Sequence, residues 1–160
     1  MHNRGVTRQT LENRKELRSI MAAITRKEAR EEAFRLLFET EFRTEEDPAS
    51  IFALSEENRE VVKNDYIKSV YFGVREHLVE IDGIMERHSK GWKTARITPV
   101  SRSAIRLCIY EMLYVEDIPT AVSINEAIEL VKKYDDSKMR AFVNGLLNGV
   151  KDELEAASKA

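Results

Sequence analysis

The chain has 160 residues, 42% of them hydrophobic, with six Gly, three Pro and one Cys, the size and composition of one helical globular domain. One Cys excludes a disulfide framework, no apolar run reaches the ~20 residues of a membrane span, and no apolar signal-peptide core follows the N-terminus, which points to a cytoplasmic protein. The net charge of −2 hides a basic head and an acidic body, because residues 1–30 carry eight Lys and Arg against three acidic residues. A local basic head is what a contact with a phosphate backbone needs.

Residues 1–6 read as disordered. From Thr7 onward, Leu11, Leu17, Ile20, Met21 and Ile24 predict an amphipathic helix with Arg8, Arg14, Lys15 and Arg18 on its wetter side, so residues 1–24 form a basic extension. A helix then starts at Thr25, where Thr25 and Glu28 have capping-box spacing and Ile24 can staple the turn. Ala29, Ala33, Leu36, Leu37 and Thr40 share its buried face. Arg26, Arg30 and Phe34 form an adjacent stripe, with Lys27 and Phe38 just beyond. Guanidinium groups beside aromatic rings suit RNA, since cations neutralise phosphates and flat rings stack on unpaired bases. The same spacing of Phe34 and Phe38 is also a core pattern.

Asp47-Pro48 predicts the start of a short helix through Ile51, Phe52 and Leu54. Val62, Tyr66, Ile67, Val70, Tyr71, Val74, Leu78, Ile81, Ile84 and Met85 then repeat at three and four, which predicts one long helix, broken near Asp82-Gly83. A polar connector around Trp92 leads to a further helix start at Thr98-Pro99.

The stretch from Ala104 to Val150 predicts three helices. Ile105, Leu107, Cys108, Ile109, Met112 and Leu113 leave the first little solvent face, which puts it at the centre of a bundle with Cys108 as a buried, inert thiol. The second opens at Ser123, three residues before Glu126, with Ala127, Ile128, Val131 and Tyr134 as its buried stripe. In the third, Phe142, Val143, Leu146, Leu147, Val150 and Leu154 keep helical spacing, so Asn144-Gly145 and Asn148-Gly149 are not hairpin turns, and Gly145 admits a neighbouring helix.

Enzyme signatures are thin. His2, His77 and His88 lie far apart without metal-ligand spacing, and neither a glycine-rich phosphate loop nor a nucleophile elbow is present. The pair Glu126 and Glu129 reads as solvated surface acids. No cofactor and no metal are expected.

IRLCIYEML, DIP, INEAIELVKK and FVNGLL, in this order and spacing, resemble the C-terminal half of the NusB family of bacterial transcription antitermination factors, with weaker similarity back to Thr25. The resemblance covers residues 25 to 152. It implies an all-α fold of two packed helical bundles, with about seven helices plus the N-terminal extension, a domain over residues 25–154 and a tail over 155–160. It also implies an RNA-binding protein that takes a boxA-type single-stranded segment of ribosomal-RNA leader transcripts. The small-subunit ribosomal protein that doubles as NusE is the expected co-binder, and the pair would help load an antitermination complex on RNA polymerase.

On this resemblance Arg26, Lys27 and Arg30 match basic positions of the family's RNA-binding first helix, whereas Glu28 stands where many members carry Arg. Phe34 lies beside them. The loop from Asp135 to Arg140 should lie near the RNA, which adds Lys138, Arg140 and Phe142, although the family commonly has an acidic residue at Lys138 and a small hydroxyl residue at Met139. Two expected partner contacts are altered, with Phe38 in place of Tyr and Ser101 in place of Glu. Trp92 matches a structural Trp, and Arg106 and Glu111 match ion-pairing positions that orient the two halves. Two other classes remain open. One is a module that docks a ribosomal protein without RNA specificity. The other is the RNA-binding part of a ribosomal-RNA methyltransferase, for whose catalytic domain a chain ending near Ala160 leaves no room.

Overall fold

The structure, a computed structural model, describes residues 9–10, 12–14, 24–58 and 60–159. The expected disorder of residues 1–6 lies outside the described residues. Of the expected basic helix that follows, residues 9–10 and 12–14 are described and helical.

From residue 24 onward the described residues form seven α-helices and one short 3₁₀ turn, with no strand. They are α1 (Arg26–Glu41), α2 (Pro48–Glu57), α3 (Asp65–Glu76), α4 (Leu78–Arg87), the turn Thr94–Arg96, α5 (Pro99–Tyr114), α6 (Thr120–Tyr134) and α7 (Ser137–Ser158). One bundle consists of α1, α2 and α3, the other of α4 to α7. They meet on α5, which packs against α1, α3, α4, α6 and α7. Ile105, Leu107, Cys108 and Ile109 are buried on consecutive faces of α5, as expected of a helix enclosed on all sides.

Local chemistry sets most helix starts. Thr25 Oγ1 accepts the Glu28 N–H at 3.1 Å, Asn64 Oδ1 that of Ile67 at 3.1 Å, and Asp136 Oδ1 that of Met139 at 3.0 Å. Each satisfies one of the free donors of a first turn. Pro48 and Pro99 sit in first turns where no N–H is required.

Tertiary contacts override the sequence at three places. α6 begins at Thr120 instead of Ser123, because the Pro119 carbonyl already accepts the N–H groups of Val122 and Ser123. Ser123 is therefore buried within the helix, and the buried stripe turns to Ile124, Ala127, Leu130 and Val131, leaving Tyr134 partly exposed. The long periodic segment breaks at His77, not near Asp82-Gly83. The His77 ring stacks on Tyr114 at 4.3 Å between centroids, and the bend aims Ile81, Ile84 and Met85 of α4 into the core. The close approach expected at Gly145 occurs elsewhere. A Cβ at Gly145 would meet nothing within 4 Å, whereas one at Gly73 would lie 2.2 Å from the Tyr110 hydroxyl.

Gly145 is exposed in the interior of α7, so nothing offsets its backbone entropy. Gly145→Ala is expected to stabilise the fold by about 0.5–1 kcal/mol. A urea midpoint that stays put or falls would show that the position has another role.

Candidate functional site

The N-terminal turns of α1 present Arg26 and Lys27 to solvent. The Arg26 guanidinium lies 4.3 Å from the centre of the Tyr66 ring on α3, a cation–π contact that holds it without neutralising it. Lys27 stands at the edge of a groove of about 360 Å³ between α1 and α6, which Lys132 and Lys133 line from the far side. There Lys133 donates to Glu31 at 2.7 Å, and the Tyr134 hydroxyl donates to the same carboxylate. These two hydrogen bonds hold the Glu31 carboxyl below its ordinary pKa.

Arg30 faces inward and is only 3% exposed. Its Nε and Nη2 donate to the two Glu111 carboxylate oxygens at 2.7 and 2.9 Å, a bidentate pair inside the interface of α1 and α5. Burial opposes its charge, but the Glu111 carboxylate outweighs burial and raises the guanidinium pKa. The Tyr66 hydroxyl beside it is buried without a hydrogen-bond partner, and burial pushes its pKa up. Arg30 is thus not a free cation for phosphate, contrary to its expected role. The matched charge on α5 cancels it.

Phe34 is likewise in the core, at 3% exposure. Its ring stacks between Tyr134 and Phe38, at 5.6 and 6.4 Å, so it has no face left for a base. The row continues through Phe38, partly exposed, to Phe42, 63% exposed, with the last two rings edge to face at 5.0 Å. Tyr134, expected only as part of a buried stripe, and Phe42, one turn beyond Phe38, complete this aromatic row.

The expected loop through Arg140 ends sooner, because α7 starts at Ser137; its first turn carries Lys138 and Arg140, both exposed, and neither makes an ion pair among the described residues. Phe142 is partly buried against the core and tilts against Trp92 at 5.8 Å. Ser101 does not reach the surface at all, with 0% exposure. Its hydroxyl donates to Asp135 Oδ2 at 2.8 Å, and the Thr98 hydroxyl donates to the same oxygen. The start of α5 is thus clamped from within to the end of α6.

A second ion network ties the bundles at the other end of α5. Glu41 at the end of α1 accepts from both Arg102 and Arg106, and Arg106 also pairs with Asp82 of α4 at 2.8 Å. Burial raises the Glu41 pKa, but its two guanidinium partners outweigh it and leave the carboxyl below its ordinary value. A carboxylate with a depressed folded-state pKa contributes stability above its unfolded pKa and loses it as pH falls through the folded value. Stability should therefore fall on acidification below about 4.5, the ordinary value, and fall less in Glu41→Gln. Urea midpoints at pH 7, 4 and 3 check this, and equal pH slopes in both proteins would contradict it.

Among the described residues no group of His, Cys, Asp and Glu is arranged to hold a metal, and no helix is long and apolar enough to cross a membrane. Burial pushes the Cys108 thiol up, away from reactivity.

Residues 27–152 match the NusB family. The transcription antitermination protein NusB of Ruminiclostridium cellulolyticum is 45% identical over 125 residues, which cover 76% of this chain and 85% of that protein. Among solved structures, NusB of T. maritima aligns with a TM-score of 0.72 at 33% identity, over 81% of this chain and 92% of that one. A chain from a complex of the antitermination factors NusB and NusE with double-stranded RNA aligns with a TM-score of 0.70 at 31% identity, over 80% and 96%. With most of its length matched by the family and relatives this similar over most of their own length, this chain belongs to the NusB family.

Proposed function

We propose that the protein is a cytoplasmic RNA-binding antitermination factor that binds boxA-like RNA in ribosomal-RNA leader transcripts. It does so with the ribosomal protein NusE and helps assemble an antitermination complex on RNA polymerase. No bond is made or broken. The observation that carries this reading is the similarity to the chain solved with NusE and RNA. Exposed cations support it, with Arg26 and Lys27 on α1 and Lys138 and Arg140 on α7.

In this reading Arg30 and Phe34 position α1 and do not touch RNA, while Phe142 offers a ring edge beside the cations. Phe38 and Phe42 form an apolar patch beside Arg43, which pairs with Glu39 and Glu46, a surface that a protein partner can cover. Ser101 acts through Asp135 by setting the start of α7, whose first turn bears Lys138.

The test is fluorescence anisotropy of labelled boxA-type RNA, with and without NusE, at two salt concentrations and against a scrambled RNA. NusE should tighten binding to boxA over the scrambled control. Each phosphate contact contributes a slope of about −0.7 in log K against log salt for a single strand, so Lys138→Ala should flatten the slope by roughly that amount. Equal binding of boxA and scrambled RNA, with and without NusE, would leave the protein a docking module for ribosomal protein alone.

A further inference from the structure

The connector between α4 and α5 carries a surface that the proposed site does not use. Trp92 projects from it with 51% of its surface exposed, which is unusual for the largest apolar side chain in a role confined to packing. Its indole borders a shallow depression of about 420 Å³ lined otherwise by Lys90, Gly91, Lys93 and Arg96. All three cations are exposed and make no ion pair among the described residues.

The backbone under the indole is held in place. Gly91 has φ of 86° and Lys90 of 52°, a turn that favours glycine at the first of these positions. The Ser89 hydroxyl lies 2.6 Å from the Trp92 carbonyl. Further along, Arg102 Nη1 donates to the carbonyls of Thr94 and Ile97, both at 3.0 Å, while its other nitrogens hold Glu41. Beyond the connector, Thr98 donates to Asp135, so this loop is fastened beside the start of α7, which bears Arg140. The Trp92 and Phe142 rings meet across that seam.

From this placement we infer that the Trp92 loop is a second nucleic-acid subsite, which takes an unpaired nucleotide of the same RNA beyond the segment held at Lys138 and Arg140. The base stacks on the exposed indole face, and the flanking phosphates lie against Lys93 and Arg96. Stacking on a preset aromatic platform beside cations is tolerant of base identity, so the subsite lengthens the footprint without reading sequence. It rests on the RNA-binding role proposed above. A protein partner fits less well, because three unpaired cations around one ring leave no apolar patch for a side-chain interface to bury.

Trp92 is the only tryptophan in the chain, so its emission reports on this subsite alone. The boxA-type oligonucleotide and the same oligonucleotide extended by four uridines at either end are each titrated into the protein with NusE present. Anisotropy is followed on the RNA and intrinsic fluorescence on the protein, whose NusE partner is a tryptophan-free variant. The extended RNA should quench Trp92 more strongly than the core RNA does. Trp92→Ala should weaken the extended RNA about tenfold more than the core RNA. Lys93→Gln with Arg96→Gln, which leaves the indole in place, should flatten the salt slope of the extended RNA by roughly 1.4. Extended RNA that binds by anisotropy without quenching, and with Trp92→Ala affecting both RNAs equally, overturns the subsite while the antitermination reading stands. Quenching by NusE alone and none by RNA overturns it in favour of a protein contact. Failure of both RNAs to bind by anisotropy overturns the two readings together.

Discussion

Arg30→Ala is expected to cost about 3–5 kcal/mol of folding stability, the largest loss from any single charged side chain among the described residues. The Glu111 carboxylate that it leaves behind has a side chain with 0% exposure, and its two oxygens lose both charge-assisted donors at once. An uncompensated carboxylate in that position must either be protonated or drag water between α1 and α5. For a domain of this size the melting temperature should fall by roughly 10 °C. Removing both partners is a different matter, since a buried ion pair replaced by apolar residues of similar volume is often neutral. Arg30→Met with Glu111→Leu should therefore regain most of the loss. Thermal melts of the two single variants and the double variant form a complete cycle. If Arg30→Ala instead melts within a degree or two of the wild type and loses RNA binding, the guanidinium is an RNA contact and its pairing with Glu111 is incidental.

Gly73→Ala should be the next most damaging small change, although alanine ordinarily stabilises a helix interior relative to glycine by about 1 kcal/mol. The added methyl would lie 2.2 to 2.4 Å from the hydroxyl and two ring carbons of Tyr110, well inside van der Waals contact. Tyr110 is itself buried on α5, so relief requires α3 and α5 to part or the ring to leave its rotamer. Overpacking of this kind costs about 1–3 kcal/mol, and overlap with the hydroxyl and two ring carbons puts this case at the upper end. Because the clash involves the ring and not the hydroxyl alone, Tyr110→Phe should not rescue Gly73→Ala. Tyr110→Ala should, in the sense that Gly73→Ala becomes neutral or stabilising in that background. Urea denaturation of the four proteins decides it, and additive effects would show that α3 and α5 accommodate the methyl by another route.

Neither of these close contacts could be read from periodicity. The stripe containing Arg26, Arg30 and Phe34 was visible on the helical wheel, yet only the position of α5 shows that Arg30 faces a carboxylate and Phe34 faces Tyr134. A basic residue and an aromatic one at such spacing are compatible with an RNA face and with a buried seam alike. What separates the two is a residue 81 positions away. Ser101 is the same kind of case, because a small hydroxyl residue on α5 signals nothing until Asp135 is found within 2.8 Å of it. Lys138 and Arg140, by contrast, stand in the first turn of α7 beyond the end of the buried stripe, where sequence and structure agree that they are exposed.

The amino-acid sequence by itself determined the helical class, the enclosed position of α5, the cap at Thr25 and, through four motifs in register, the family. These follow from interactions over three or four residues and from apolar periodicity, which a chain carries wherever it folds. The break at His77, the early start of α6, the burial of Arg30 and Ser101, and the meeting of Trp92 with Phe142 were decided only by the tertiary structure. Each depends on groups brought together from distant parts of the chain, and the free energy of such contacts does not exist until the helices that carry them have packed.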